Sequence, residues 1–229
     1  LEVFLRFIKK IIVIRKSNLI LRLILMLSST HLVAQSINKA SLKIDAVGIF
    51  LGTAKHESFL IKDENYRYAN TSFKAVLLWE IKQGERWDWE IVLEPGIYRV
   101  EHQLLNPFYI TPASGPDFEQ RRMKFTTPRT FHEYALNLGL QVRYRWNEKW
   151  STPLLASLGP MYGTMQTERL SKGFAFSNIL GIGISFQQKE WDWNLRCILR
   201  HTSNLEFIQP NSGHNSWGIE MGLIYHVQL

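Results

Sequence analysis

The chain has 229 residues, a formal net charge of +7, 45% hydrophobic residues, 13% aromatics and one cysteine. That length holds one medium domain or two small ones, and the apolar share is too high for a disordered chain. A single cysteine excludes a disulfide scaffold and any Cys-rich zinc or iron–sulfur site. The basic excess is local: residues 1–35 carry a net +5, while all the rest carry +2, so no basic nucleic-acid-binding domain is present.

In chain order, Arg15-Lys16 precedes the apolar run Leu19–Leu27, broken by Arg22, and small residues follow up to Val33-Ala34-Gln35. A basic start, a short apolar core and a small-residue cleavage site form the pattern of a secretory signal. The predicted organisation is therefore a signal over 1–35, removed on export, and one domain over 36–229. A membrane anchor is the competing reading. It needs roughly 20 apolar residues, and neither Val3–Ile14 nor Leu19–Leu27 supplies them without a charge.

After residue 36 the dominant pattern is alternation. Leu136, Leu138, Leu140, Val142, Tyr144 and Trp146 alternate with Asn137, Gly139, Gln141, Arg143, Arg145 and Asn147. The same period appears from Phe73 to Ile81, Trp87 to Leu93, Phe176 to Phe186, Trp191 to Leu199 and Trp217 to Leu229. A period of two places large apolar groups on one face of a strand and small or polar ones on the other. Eight strands are predicted: Leu42–Leu51, Phe73–Lys82, Trp87–Gln103, Phe131–Trp146, Ser151–Met165, Phe174–Gln187, Trp191–Ser203 and Ser216–Leu229. Pro95-Gly96 predicts a bulge in the third, because proline donates nothing to the ladder.

A soluble β-barrel would also alternate. Three features favour an all-β, eight-stranded antiparallel up-and-down transmembrane barrel. The polar face mixes small and charged residues, as a narrow barrel interior requires. Three short charged turns each precede a tryptophan, at Trp87, Trp150 and Trp191, which predicts an aromatic girdle at one interface. The intervening connections, about Thr53–Ser72, Leu104–Arg129, Gln166–Gly173 and Asn204–Asn215, are longer. Short periplasmic turns and long outer loops are the outer-membrane pattern, so the expected location is the bacterial outer membrane. Eight strands close on their own interior side chains, which argues against a diffusion pore.

Parity then singles out a polar group on the greasy face. Trp191, Trp193, Leu195, Cys197 and Leu199 lead in steps of two to His201 and Ser203, and Asn215 shares the parity of Trp217 and Ile219. These three residues should project together on neighbouring strands near the outer interface. Imidazole and hydroxyl at i and i+2 can act as base and nucleophile. From spacing alone the simpler reading is that the strand has reached the headgroup zone.

His201-Thr202-Ser203-Asn204, followed by Gln209-Pro210-Asn211-Ser212-Gly213 and a closing strand, resembles the lipid A 3-O-deacylases of the PagL type, the acyloxyacyl hydrolase family. Weaker likeness extends to the eight-strand layout, Glu94-Pro95-Gly96 and Leu158-Gly159-Pro160. The resemblance implies an outer-membrane serine esterase that removes the 3-position ester-linked acyl chain of lipopolysaccharide. Its partners would be lipid A and outer-membrane lipids, with no nucleic acid, no cofactor and no metal. It implies Ser203 as nucleophile, His201 as base, and Asn204 and Asn211 as oxyanion candidates. The family's third residue is a Glu twelve positions after the serine, and here that position is Asn215. An amide oxygen can hold the imidazole tautomer but adds no charge, and in a serine protease the acid-to-amide change costs about 10⁴ in rate. Glu206 is an alternative acid, with His214 also in the adjoining loop. Glu220 has inward parity and should not reach.

Arg121, Arg122, Lys124 and Arg129 fall in the longest loop, where they could meet lipid A phosphates or simply face water. His56, His102, His132 and His226 lack metal-ligand spacing. Two further readings stand beside the deacylase: a catalytically inactive structural barrel, and an outer-membrane phospholipase or acyltransferase.

Overall fold

The computed structural model describes residues 43–56 and 63–227. The predicted signal at 1–35 lies outside the described residues. Eight strands form one closed antiparallel barrel: β1 (Ala46–Lys55), β2 (Tyr66–Gln83), β3 (Trp87–Leu104), β4 (Arg129–Arg145), β5 (Trp150–Gly163), β6 (Gly173–Gln188), β7 (Trp191–Ser203) and β8 (His214–His226). Each strand pairs with its sequence neighbours, and β1 closes on β8 from Ala46↔His226 to Lys55↔Trp217. Closure leaves no sheet edge, so every spanning backbone group finds a partner without water. Among the described residues no helix is long and apolar enough to cross a membrane.

Four expectations are corrected. β1 starts at Ala46, not Leu42, because the Asp45 carboxylate accepts the Glu80 backbone N–H at 2.7 Å and caps that end of the ladder. β2 begins at Tyr66, seven residues before Phe73. There the outward residues Arg67 and Thr71 are polar, as are Arg99 and Glu101 on β3, so the extension rises beyond the apolar band and its outward face carries no apolar run. The bulge is not at Pro95-Gly96, where register is unbroken on both sides, but between Glu80 and Lys82. Proline omits one ladder bond without shifting its neighbours. Finally, the 105–128 connection contains a short helix, α1 (Phe118–Thr126), and two 3-10 turns at Pro107–Tyr109 and Pro112–Ser114.

The faces follow the predicted parity. Ile49, Leu51, Phe73, Leu136, Leu138, Leu140, Leu195 and Ile219 are exposed on the outside, while Gln141, Arg143 and Glu220 are buried inside. Arg145 is only partly enclosed, near the short-turn end, where it pairs with Asp88 at 3.1 Å. At that end Trp87 packs on Tyr144, Trp150 on Phe186 and Trp191 on Tyr225, with ring centroids 4.7–4.9 Å apart. These three cross-strand pairs build the expected girdle. A continuous apolar exterior would be intolerable in water, which removes the soluble-barrel reading.

Charge pairs fill the interior in tiers set by every fourth residue of β7. Asp192 binds Arg143 at 2.7 Å; Arg196 binds Glu94 and Glu220, each at 2.6 Å; Arg200 binds Glu133 at 2.8 Å and Ser177 at 3.0 Å. No water-filled channel fits through such tiers. Leu140→Arg is expected to cost about 2–4 kcal/mol, the penalty of a charge on the lipid face near midplane. A polar exchange at the inward neighbour Gln141 should cost much less. Denaturant titration in micelles measures both, and equal costs would contradict the faces.

Candidate active site

The outer end of β7 carries two sets of side chains. Arg200, Thr202 and Asn204 are buried inward, whereas His201 and Ser203 are half-buried on the lipid side. Register pairs His201 with Asn215 at the start of β8. Between them, His201 Nδ1 lies 2.7 Å from Asn215 Oδ1. An amide oxygen only accepts, so Nδ1 carries the proton and the Nε2 lone pair is left for another donor. Ser203 follows His201 on the same face. No hydrogen bond joins its Oγ to the imidazole among the described residues. Such contacts often tighten only when substrate arrives.

The loop after Ser203 is tied by its asparagines. Asn204 is fully buried: its Nδ2 donates to Ser171 Oγ at 2.8 Å and to the Ile208 carbonyl at 2.6 Å, and its Oδ1 accepts Glu206 N–H at 3.1 Å. Its backbone N–H donates to Asn211 Oδ1 at 2.7 Å. Both Asn204 donors are thus consumed in shaping the loop. Asn211 is anchored through Oδ1, and its Nδ2 donates to nothing among the described residues, so of the two oxyanion candidates it is the one with a free side-chain donor. Gly213 ends the loop at φ +67°, and a Cβ there would stand 2.3 Å from the Thr202 carbonyl oxygen and 3.3 Å from His201 Cε1. The Pro-Asn-x-Gly turn therefore ends in glycine so that the backbone can pass the imidazole.

Two other loops hold this one in place. Arg169, between β5 and β6, accepts Ser212 N–H on its carbonyl at 2.7 Å and donates from Nε to the Gly213 carbonyl at 3.2 Å. Its Nη1 also pairs with Asp63 at 2.7 Å. Partial burial pushes the Asp63 carboxyl up, but hydrogen bonds from Asn65 and the Arg169 charge outweigh it and hold it below the usual range. The clamp is therefore intact at neutral pH and is lost only as acid protonates Asp63. Below the site, His56 accepts Asp63 N–H on Nε2 at 3.0 Å, which puts its proton on Nδ1, 2.9 Å from the Asn215 carbonyl oxygen. The residue that orients His201 is itself held by a buried imidazole.

Glu206 sits exposed at φ +66°, and among the described residues no hydrogen bond or ion pair joins its carboxylate to His201, whose Nδ1 is taken by Asn215. His214 is buried inside, stacked on Tyr68 at 4.5 Å and bonded through Nε2 to Thr167 Oγ1 at 2.9 Å. Neither is brought to the imidazole as a substitute acid. Glu220 is inside with Lys74 and Arg196, as its parity predicts. Arg121 and Arg122 bind the carbonyls of Ser114 and Ile110 around α1, and Arg122 lies over the Phe108 and Phe118 rings. Arg129 belongs to β4 rather than the loop. Among the described residues no cluster of His, Cys, Asp or Glu could hold a metal ion. Sequence reasoning missed Arg169 and His56. Parity carried past β1 would place His56 inward, but no local signal ties either residue to a site more than 30 positions away.

A closed eight-stranded barrel with an apolar exterior, an aromatic girdle and a lipid-facing His–Ser–Asn group defines the class: a β-barrel of the bacterial outer membrane. Within that class, the family model that matches is lipid A 3-O-deacylase (PagL), over residues 111–223, a stretch that holds Arg169, His201, Ser203, Asn204, Asn211 and Asn215 but neither His56 nor Asp63. Among solved structures, the outer membrane enzyme PagL is similar at 14% identity, covering 77% of this chain and 97% of that one, with a TM-score of 0.48. Neisserial surface protein A follows at 11% identity, 80% and 96% coverage and a TM-score of 0.43. Ail of Yersinia pestis has 16% identity, 79% and 99% coverage and a TM-score of 0.35. A search of curated proteins returns no match.

Proposed function

We propose that the chain is an outer-membrane serine esterase that releases the 3-position ester-linked acyl chain from lipid A. The observation that carries this reading is the His201–Asn215 hydrogen bond beside Ser203 on the lipid face. The ester of an outer-leaflet glycolipid lies at the headgroup–acyl boundary, the depth at which β7 changes from Leu199 to His201. Ser203 Oγ attacks the ester carbonyl carbon as His201 Nε2 takes its proton. The Asn211 amide stabilises the oxyanion. Collapse expels the sugar hydroxyl, protonated by the imidazolium. Water, deprotonated by His201, then releases the fatty acid and regenerates Ser203. The chemistry requires no cofactor.

The third position favours one rival specifically. Asn215 supplies no negative charge, so a barrel that keeps the fold without turnover is the second reading. Mass spectrometry of lipid A from cells with and without the protein tests both. Loss of one ester-linked acyl chain supports the esterase, unchanged lipid A supports the inactive barrel, and a change confined to phospholipids points to a phospholipase or acyltransferase. In an active enzyme, Asn215→Ala is expected to slow release about ten- to a hundredfold, the size of a hydrogen bond to a charged group. Asn215→Glu should keep or raise the rate by placing a carboxylate beside the imidazolium. Glu206→Gln should change little. A severe loss in Glu206→Gln with a mild one in Asn215→Ala would reverse the assignment of the third residue.

A further inference from the structure

The β1–β8 ladder ends at Lys55↔Trp217, two residues short of Asn215. Past that point β1 reaches β8 through a side chain. The His56 imidazole is 2% exposed, and its Nδ1 lies 2.9 Å from the Asn215 carbonyl oxygen. Further contacts keep the ring from turning. Its Nε2 accepts the Asp63 N–H at 3.0 Å, its face stacks on Tyr66 with centroids 4.2 Å apart, and the Tyr66 hydroxyl lies 3.0 Å from Nδ1. A ring nitrogen that accepts carries no proton, so in the neutral imidazole Nδ1 is the donor. Two imidazoles thus grip one asparagine. His56 holds its backbone carbonyl from inside the barrel mouth, and His201 donates to its side-chain Oδ1 on the lipid side at 2.7 Å.

A general base works only when its lone pair is aimed at the proton it takes. The aim of His201 Nε2 is set by the bond its Nδ1 makes to Asn215. Two side-chain torsions separate that amide oxygen from the Asn215 backbone, so the oxygen is placed no better than the peptide that carries it. This peptide lies at the start of β8, directly after a loop that ends in left-handed Gly213. Strand ends fray more readily than strand interiors. A carbonyl pinned by a rigid, buried imidazole fixes the peptide plane there. Alignment also counts for more here than it would with a carboxylate. A neutral amide adds no attraction for the imidazolium, and small misplacements of a catalytic group cost rate steeply.

We infer that His56 is a positioning residue for the esterase reaction: its Nδ1–H fixes the Asn215 peptide, so that the amide oxygen keeps His201 in line with Ser203. His56 acts through Asn215 and touches no reacting atom, because it is buried on the inner side of the barrel wall. This rests on the esterase reading above. It adds to the site a residue from β1, outside the stretch 111–223 that matches the family model.

The test measures fatty-acid release from lipid A by the full chain in outer-leaflet-like micelles. His56→Leu removes the donor and should lower kcat about fivefold, one neutral hydrogen bond's worth of alignment. KM should stay as it is, since the side chain does not meet substrate. In an Asn215→Ala background the same change should cost less than about twofold, because the oxygen it would misplace is already gone. His56→Asn, whose Nδ2 stands where the ring Nδ1 does, should recover most of the loss. His56→Gln, whose amide reaches the Nε2 position instead, should not. A residue that only stiffens the barrel would lower stability in these variants without this order in kcat. Heat modifiability checks that each variant is folded, and if His56→Leu is not, the Asn and Gln variants decide. Full kcat in His56→Leu, a loss additive with that of Asn215→Ala, or equal kcat in the Asn and Gln variants would overturn the inference and leave the esterase standing. No release by wild type would remove the esterase reading and this inference together.

Discussion

Ser203→Ala and His201→Ala are each expected to reduce fatty-acid release to background while leaving a folded, heat-modifiable barrel. Nucleophile and base act as a unit, so losing either disables the reaction rather than subtracting a fraction. Folding should survive because both side chains are half-buried at the outer end of β7, with no buried partner depending on Ser203. The imidazole does bond Asn215, but at an interfacial position where water or a headgroup can replace it. Release of free fatty acid from lipid A in micelles is the measurement. Turnover retained in Ser203→Ala would exclude Ser203 as nucleophile.

The largest stability effect is expected at the central ion cluster. Lys74 meets Glu220 at 2.6 Å and Glu94 at 3.7 Å, and Arg196 meets both carboxylates at 2.6 Å, all four side chains being buried inside the barrel. The cluster is neutral as a whole. Glu220→Gln leaves it with an uncompensated positive charge, and breaking a buried pair in this way costs about 3–5 kcal/mol. Removing one charge of each sign, as in Glu220→Gln with Lys74→Met, should cost less than Glu220→Gln alone. Denaturant unfolding in micelles measures the cycle. Additive costs for the two changes would mean that the pair is not coupled.

Much of this molecule is legible because a strand's period of two is a local property. Counting outward from Trp191 places His201 and Ser203 on the lipid face, and the same parity puts Glu220 inside, where it meets Lys74 and Arg196. The signal fades where the outward face loses its large apolar residues, as at Arg67, Ala69 and Thr71, since above the membrane nothing obliges that face to be greasy. α1 was missed for a related reason: its nine residues bury only Phe125, so no apolar stripe marks it.

By itself the sequence determined the barrel, the sorting of its two faces and the presence of a histidine, a serine and an asparagine on one of them. Tertiary structure decided what those residues can do. Closure of β8 on β1 brings His56 to the Asn215 carbonyl across 159 positions, and Arg169 reaches from another loop to grip Ser212 and Gly213. It also decided that the Asn204 donors are consumed in the loop and that the imidazole is bonded to Asn215 rather than to Glu206. Side-chain parity repeats every two residues and can be read locally. Hydrogen-bond partners are chosen by register and loop closure between distant segments, and no local pattern encodes that choice.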